Sequence, residues 1–396
     1  MQVETTGKEE VMDHLELARQ LIPWASQTRS KSYKRFPDNY PWFIDGGKGC
    51  YVTSGGKQYL DFISALGPII LGYRDEYVDA YVMDQIKFNG NLFSLPHKLE
   101  AEVAEMLTKI IPCAEMVCFL KNGGDATMAA VRLARICTGR KLVLNRGYHG
   151  WAVFDQLMPF EDLRALRNYP DWGYVAAVLV EPELFNCTEL LEIKTLCQEH
   201  GVLLIFDEVI SGFRIAMGGV QEFLGVKPDL ACFSKAMANG YPISALVGRR
   251  EIMERLEKDA FVSTTFGGDC IGLAACIGTI RKMKKENVIS HLWEMGTYLK
   301  EELEWLINKY SFPMTLHGFP PMIHFKMPED IHALFLQETI KRGIMIYNSH
   351  NLNFSHKRTA INSLLGVYDE IFPLIMKGEV HLEGNLVGNT QFLRQW

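Results

Sequence analysis

The sequence has no apolar stretch that reaches the roughly 18 residues a membrane-spanning helix requires. Its opening, MQVETTGKEEVMDH, is acidic and polar where a signal peptide would be basic and then apolar. A cytoplasmic protein without a membrane span is therefore expected. Also missing is any basic run or basic patch interleaved with aromatics. With a formal charge of -6 the chain offers little to a phosphate polymer, so nucleic acid is not an expected partner. The nine cysteines include no CxxC pair, and an odd number scattered through apolar runs does not make a disulfide framework. They read as small buried hydrophobes. His317, His324 and His332 form no HExxH arrangement, so no metal site is expected.

What the chain has is bulk. Its 396 residues, 48% of them hydrophobic, exceed what one ordinary domain needs, and two joined cores are the natural expectation. Residues 1–60 mix a helix-like start with an aromatic, turn-rich stretch in which Gly46-Gly47 and Gly55-Gly56 punctuate a hairpin. From 61 to 285, short apolar runs alternate with amphipathic segments. Strands are expected at Met116–Leu120, Lys141–Leu144, Val175–Val180, Val202–Phe206 and Ile243–Val247, with helices at Asp125–Cys137 and Glu189–His200. Runs that are apolar on both faces belong to a buried, mainly parallel sheet flanked by helices, an α/β fold. Residues 286–396 read as a smaller α+β unit on which the N-terminal segment packs.

Five segments carry chemistry. VLLIFDEVISGFR is a buried strand ending in Asp207-Glu208, at the carboxyl end where open α/β sheets bind ligands. Alternatively Asp207 caps the following helix or pairs with Arg214. In DLACFSKAMANGYPISALVG, Lys235 interrupts a small, uncharged run; poor hydration would free its amine to attack a carbonyl, although most lysines simply reach solvent. In KNGGDATMAAVRLAR, Gly123-Gly124 opens a helix whose first N–H groups and dipole suit a phosphate; a glycine pair is also an ordinary turn. Tyr148-His149-Gly150 follows KLVLN and could lay a ring over a planar group, or be a plain loop aromatic. STTFGGDC offers the Thr264 and Thr265 hydroxyls beside Gly267-Gly268. Together they suit pyridoxal phosphate: phosphate on Gly123-Gly124, ring beneath Tyr148, pyridine nitrogen on Asp207 and aldehyde carbon on Lys235.

As an ordered set, GPIILGY, NGGDATMAAVRLAR, YHG, VEP, DEVISGFR, PDLACFSKAMANGYPISALVGRREIM and STTFGGDC resemble the class III aminotransferases. These are fold type I pyridoxal-phosphate enzymes, and the nearest branch is that of glutamate-1-semialdehyde aminomutase. The resemblance implies that Lys235 is the Schiff-base lysine, that Asp207 partners the pyridinium, and that Val209 packs on the ring face opposite Tyr148. It also implies phosphate binding at Gly123 and Gly124, and places His149 and Glu181 near the cofactor. Thr265 matches a threonine that reaches the neighbouring subunit's cofactor, which implies a homodimer with shared sites.

The departures from the pattern are informative. Asn122-Gly123-Gly124-Asp125-Ala126 lacks the family's usual hydroxyl donor, and Asp269 and Cys270 stand where Asn and Pro are usual. Only about 30 residues separate Tyr148 from Glu181, too few for the lid that sequesters the aminomutase's intermediate. Amino transfer between a donor and a keto or aldehyde acceptor is accordingly ranked above intramolecular amine migration. A pyridoxal-phosphate isomerase or epimerase and a non-catalytic ligand-binding relative stand as alternatives. A substrate carboxylate would be held by Arg35, Arg214 or Arg358, which the sequence does not separate.

Overall fold

The structure, a computed structural model, describes residues 14–384. In chain order its strands are β1 (Gly46–Lys48), β2 (Tyr51–Ser54), β3 (Lys57–Asp61), β4 (Met116–Leu120), β5 (Leu142–Arg146), β6 (Met158–Pro159), β7 (Val175–Val180), β8 (Leu203–Asp207), β9 (Leu230–Phe233), β10 (Ser244–Gly248), β11 (Thr315–His317), β12 (Met322–Lys326), β13 (Ile344–Met345) and β14 (Ser349–Asn351). The described chain forms two compact units. The larger holds 65–71 and 75–293; the smaller holds 14–64, 72–74 and 294–384. No helix among the described residues is long and apolar enough to cross a membrane.

In the larger unit seven strands form one sheet in the order β4-β10-β9-β8-β7-β5-β6. Strand β10 runs antiparallel to both neighbours and every other pair is parallel, the mainly parallel sheet of an α/β fold. All six residues of β7 are buried, which is why Val175–Val180 reads as an unbroken apolar run. The helix Gly123–Thr138 lies against this sheet through Ala126, Ala129, Ala130, Val131, Leu133 and Ala134. Its small residues let helix and sheet approach closely. The expected strands at 116–120 and 175–180 coincide with β4 and β7. Two strands were not expected, the four-residue β9 and the two-residue β6, and neither is long enough to show a period. The helical stretch after 270 is two helices, Cys270–Lys285 and Val288–Tyr310, separated where Asn287 turns left-handed at φ 50°.

The smaller unit contains the sheets β1-β2-β3-β13 and β11-β12-β14. Gly55 and Gly56, both at positive φ (55° and 76°), make the tight β2–β3 turn that their sequence announced. One expectation is corrected here. Residues 29–36 read RSKSYKRF, a basic stretch with aromatics after all, hidden in the totals by the acidic remainder of the chain.

Two buried titratable groups in this unit act in opposite directions. Asp61 accepts from the Tyr73 hydroxyl at 2.6 Å and the Ile63 N–H at 2.7 Å, yet burial pushes its carboxyl up to about 6. His350 meets the Tyr368 hydroxyl at 2.9 Å through Nε2, and burial pushes its imidazole down to about 3. Against an unfolded value near 6.5, a depressed histidine costs no stability at neutral pH and progressively more as pH falls from about 6.5 towards 3. By pH 5 that loss amounts to about 2 kcal/mol. A raised aspartate favours the fold increasingly as pH falls through 6 towards 4, and so offsets part of the loss. We expect His350→Gln to remove the histidine term alone, so that unfolding at pH 7 and pH 5 shows the variant gaining about 2 kcal/mol on its parent. An unchanged difference between the two pH values would show that His350 is not held neutral.

Candidate active site

The carboxyl ends of the parallel strands bring most of the expected site residues together. β8 ends at Asp207, which is 3% exposed. Its Oδ1 accepts the Val209 N–H at 3.1 Å and its Oδ2 lies 2.8 Å from His149 Nδ1. The expected local cap is thus partly realised, as a turn onto Val209. The expected pairing with Arg214 is not, because no lysine or arginine among the described residues lies within ion-pair distance of Asp207. Its neighbour Glu208 has a separate task. Fully buried and pushed up to about 7 by that burial, it accepts from Ser211 Oγ (2.6 Å) and from the N–H groups of Val220 (2.8 Å) and Gln221 (2.9 Å), closing the start of the helix Val220–Leu224.

Two left-handed glycines, Gly147 (φ 118°) and Gly150 (φ 87°), bracket Tyr148-His149 after β5. A Cβ on Gly150 would fall 2.9 Å from the Gly124 Cα, so this segment rests directly on the start of the helix Gly123–Thr138. Thr127 ties the two together, its hydroxyl donating to the His149 carbonyl at 2.7 Å. A Cβ on Gly123 would meet Val209 Cγ1 at 2.7 Å and Cγ2 at 2.9 Å. Glu181, buried at the end of β7, packs against Gly147, where a Cβ would meet its Oε2 at 2.6 Å. Gly123, Gly124, Tyr148, His149, Glu181, Asp207 and Val209 therefore form one cluster. Tyr148 keeps 39% of its surface exposed at the rim.

Lys235 lies one strand over, three residues beyond Cys232, the register partner of Asp207. Its φ of 38° is a conformation that non-glycine residues rarely hold without compensation, and such strain gathers at functional sites. Its Cδ runs 3.9 Å from where a Cβ on Gly67 would stand. Sequence reasoning overlooked what holds the Gly67 segment beside it. Arg214, wholly buried, donates from Nη2 to the Gly67 carbonyl at 2.8 Å, and Asn239 Oδ1 accepts the N–H groups of Ile70 (2.9 Å) and Leu71 (2.8 Å). Arg214 is thereby corrected from a substrate arginine to a brace, since a guanidinium with no exposed surface cannot meet a ligand. The signal was present in GPIILGY and KAMANGYP, which flank the braced segment and the lysine.

Thr265 is not brought into the cluster by its own chain. It is exposed on the loop that packs over edge strand β4 through Gly267. A hollow of about 530 Å3 there, lined by Phe119 and Thr264 among others, contains none of the clustered residues. A smaller pocket of about 230 Å3 adjoins the Tyr148-His149 segment between Asn145 and Pro159. In the smaller unit, Arg358 lies over the Tyr298 ring at 3.9 Å, while Arg35 is half-buried beside the Tyr347 hydroxyl.

The fold and this crevice define an enzyme of the fold type I transferase class. FumI from Sphingopyxis sp. MTA144, solved in its PLP internal aldimine form, superposes with a TM-score of 0.87 at 27% identity over 94% of this chain and 98% of that one. The chain belongs to the class III aminotransferase family, whose sequence profile matches residues 32–155 and 159–360. It is 35% identical to the 3-aminobutyryl-CoA aminotransferase of Cloacimonas acidaminovorans, over 88% of this chain and 92% of that protein. It is 29% identical to the glutamate-1-semialdehyde 2,1-aminomutase of Methanothrix thermoacetophila, over 92% and 95% of the two chains.

The close approach at Gly123 gives a direct test of how the site is packed. Gly123→Ala should cost about 1–3 kcal/mol in unfolding of the cofactor-free protein through overpacking against Val209. Adding Val209→Ala should recover most of it. An equal cost in both backgrounds would rule out that contact as the cause.

Proposed function

We propose that this protein moves an amino group between separate donor and acceptor molecules with pyridoxal phosphate, held through Lys235 Nζ. The observation that carries the reading is Asp207. A buried carboxylate with His149 as its ionisable partner among the described residues suits a protonated ring nitrogen, because a buried anion is stable only when paired. The glycine cradle supports the same group, since a side chain at Gly123 would fill the space beside Val209.

Each residue then has a task. The N–H groups of Gly123 and Gly124 belong to a helical first turn without i−4 carbonyls, and can donate to the phosphate. Tyr148 and Val209 would lie against the ring of the bound group. His149 orients Asp207, Asp207 holds the proton on the ring nitrogen, and Glu181 supports the Gly147 turn. Once bound, the cofactor supplies an electron sink for the bond broken at the amine-bearing carbon. Lys235 Nζ would hold the group and, as an amine beside that carbon, would be the base suited to carry its proton.

Transfer between molecules is favoured over internal migration by the segment after Tyr148. It is short, forms edge strand β6 on β5, and is pinned by Arg135, whose Nη1 donates to Gln156 Oε1 at 2.6 Å and whose Nη2 donates to the Gln156 carbonyl at 3.1 Å. A segment so tied is a poor lid. The 3-aminobutyryl-CoA aminotransferase supports an acyl-thioester substrate with its amine on the β-carbon. A homodimer with shared sites is supported by Thr265 and by two exposed phenylalanines in the same loop, Phe261 (75%) and Phe266 (54%). The nine cysteines, all unpaired, suit a reducing compartment such as the cytoplasm.

The purified protein should be yellow, change its visible band when an amino donor is added, and regain it with a keto acid. Lys235→Ala should lose about 100- to 10,000-fold in turnover. Borohydride reduction followed by peptide mapping should mark Lys235 in the parent. A colourless parent that takes up no pyridoxal phosphate would overturn the reading. Product formation with no exchange of label from any donor would replace transfer with migration.

A further inference from the structure

The pocket of about 230 Å3 beside Tyr148-His149 lies within the larger unit and is lined by polar atoms that the cluster around Asp207 leaves unused. Asn145 and His149 both line it and are only 5% and 3% exposed. Each has a buried side-chain atom, Asn145 Oδ1 and His149 Nε2, with no hydrogen-bond partner among the described residues. The main chain of Asn145 is not short of partners. It stands opposite Pro159 where β5 pairs with β6, and its carbonyl accepts the Phe160 N–H at 3.1 Å. His149 has already committed Nδ1, which lies 2.8 Å from Asp207 Oδ2. Burying a polar atom without a partner is costly, and two of them on residues that share one pocket call for a ligand that satisfies both.

The kind of ligand follows from what these atoms can do. An Asp207 carboxylate only accepts, so Nδ1 carries the proton of the neutral imidazole and Nε2 presents a lone pair. Asn145 Oδ1 is also an acceptor. A third acceptor lines the pocket at its exposed side, the carboxylate of Asp155, which has no ion pair among the described residues. The lining holds no lysine or arginine. Three acceptors and a negative charge match a protonated primary amine, which brings three N–H donors and one positive charge, and they would repel an anion. The volume is far above the roughly 15 Å3 that one water needs. Leu157 and Pro159 give the remaining space an apolar wall, which suits a short alkyl chain.

We infer that this pocket binds a short alkylammonium ion, as a second amine site reached through the His149 nitrogen that does not face Asp207. The inference goes beyond the transfer reaction and does not depend on it. A cation at Nε2 opposes a second proton on His149, so an occupied pocket leaves a cofactor ring nitrogen as the group that neutralises Asp207. Amine bound here would thereby act on the ring from behind, without entering the reaction.

The test is calorimetric titration of holoenzyme in which borohydride has fixed the bond at Lys235, so that added amines cannot react with the cofactor. Butylamine should bind, more weakly as salt rises. Ammonium, without the alkyl chain, and tetramethylammonium, without N–H donors, should each bind about tenfold weaker or more. Asn145→Leu should weaken butylamine about tenfold. Asp155→Asn, a change at an exposed residue that the fold does not need, should weaken it about threefold and flatten the salt dependence. No butylamine binding at millimolar concentration, equal binding by the parent and both variants, or ammonium binding as tightly as butylamine would overturn the inference. Butylamine binding that responds to both substitutions in a protein that takes up no pyridoxal phosphate would sustain the pocket while removing the aminotransferase reading.

Discussion

The site is organised around one buried charge. Asp207 sits at the end of the central strand β8 and is almost wholly removed from water, where a carboxylate is expensive unless its lone pairs are engaged. His149 and the Val209 N–H engage one oxygen each, and these two contacts determine much of the surrounding geometry. To reach Asp207, His149 must leave β5 through the Gly147 turn. To return, the chain passes Gly150 against Gly124, which brings the start of the helix Gly123–Thr138 to the same place. To present its N–H to Oδ1, Val209 must lie where Gly123 alone leaves room. Glycines at three places and an imidazole at a fourth all follow from the seating of one carboxylate.

The lysine is held by a different device. Asp207 is satisfied by direct hydrogen bonds, whereas the Lys235 side chain runs past the segment 65–71, itself anchored through Gly67 to Arg214 and through Ile70 and Leu71 to Asn239. Burying the Arg214 guanidinium is costly and pushes its ionisation down to about 10, yet it remains a cation at neutral pH. Its donors are therefore fully available to backbone carbonyls, and an arginine offers several in a fixed fork. A neutral residue there would make fewer bonds, and a lysine would lack the planar reach.

Legibility in the sequence followed physical kind. Val175–Val180 and Met116–Leu120 were readable because a strand buried on both faces must be apolar throughout, and the helix after Gly123 because its alanines recur at helical spacing. Asp207 and Lys235 stood out as polar residues breaking apolar runs. Arg214 broke one too, but a charge facing a ligand and a charge facing a carbonyl leave the same letter in the sequence, and only its zero exposure separates them. β6 and β9 escaped because two and four residues carry no period. The basic turns at 29–35 escaped for another reason: whole-chain charge averages over surfaces that never meet.

The segment between Tyr148 and β7 bears on the site through the scaffold that carries it. Strand β6 extends the sheet by only two residues, but it pairs with Leu144 and Asn145, immediately before the Gly147 turn that carries Tyr148 and His149. Arg135, from the helix whose start borders the site, grips the same segment at Gln156 and also bonds the Lys141 carbonyl just before β5. The segment is thus part of the scaffold that positions Tyr148 and His149, and freeing it would loosen His149 and, through it, Asp207. In this chain the connection is committed to the sheet, so the bonds that fix the segment also hold the turn that seats His149 against Asp207.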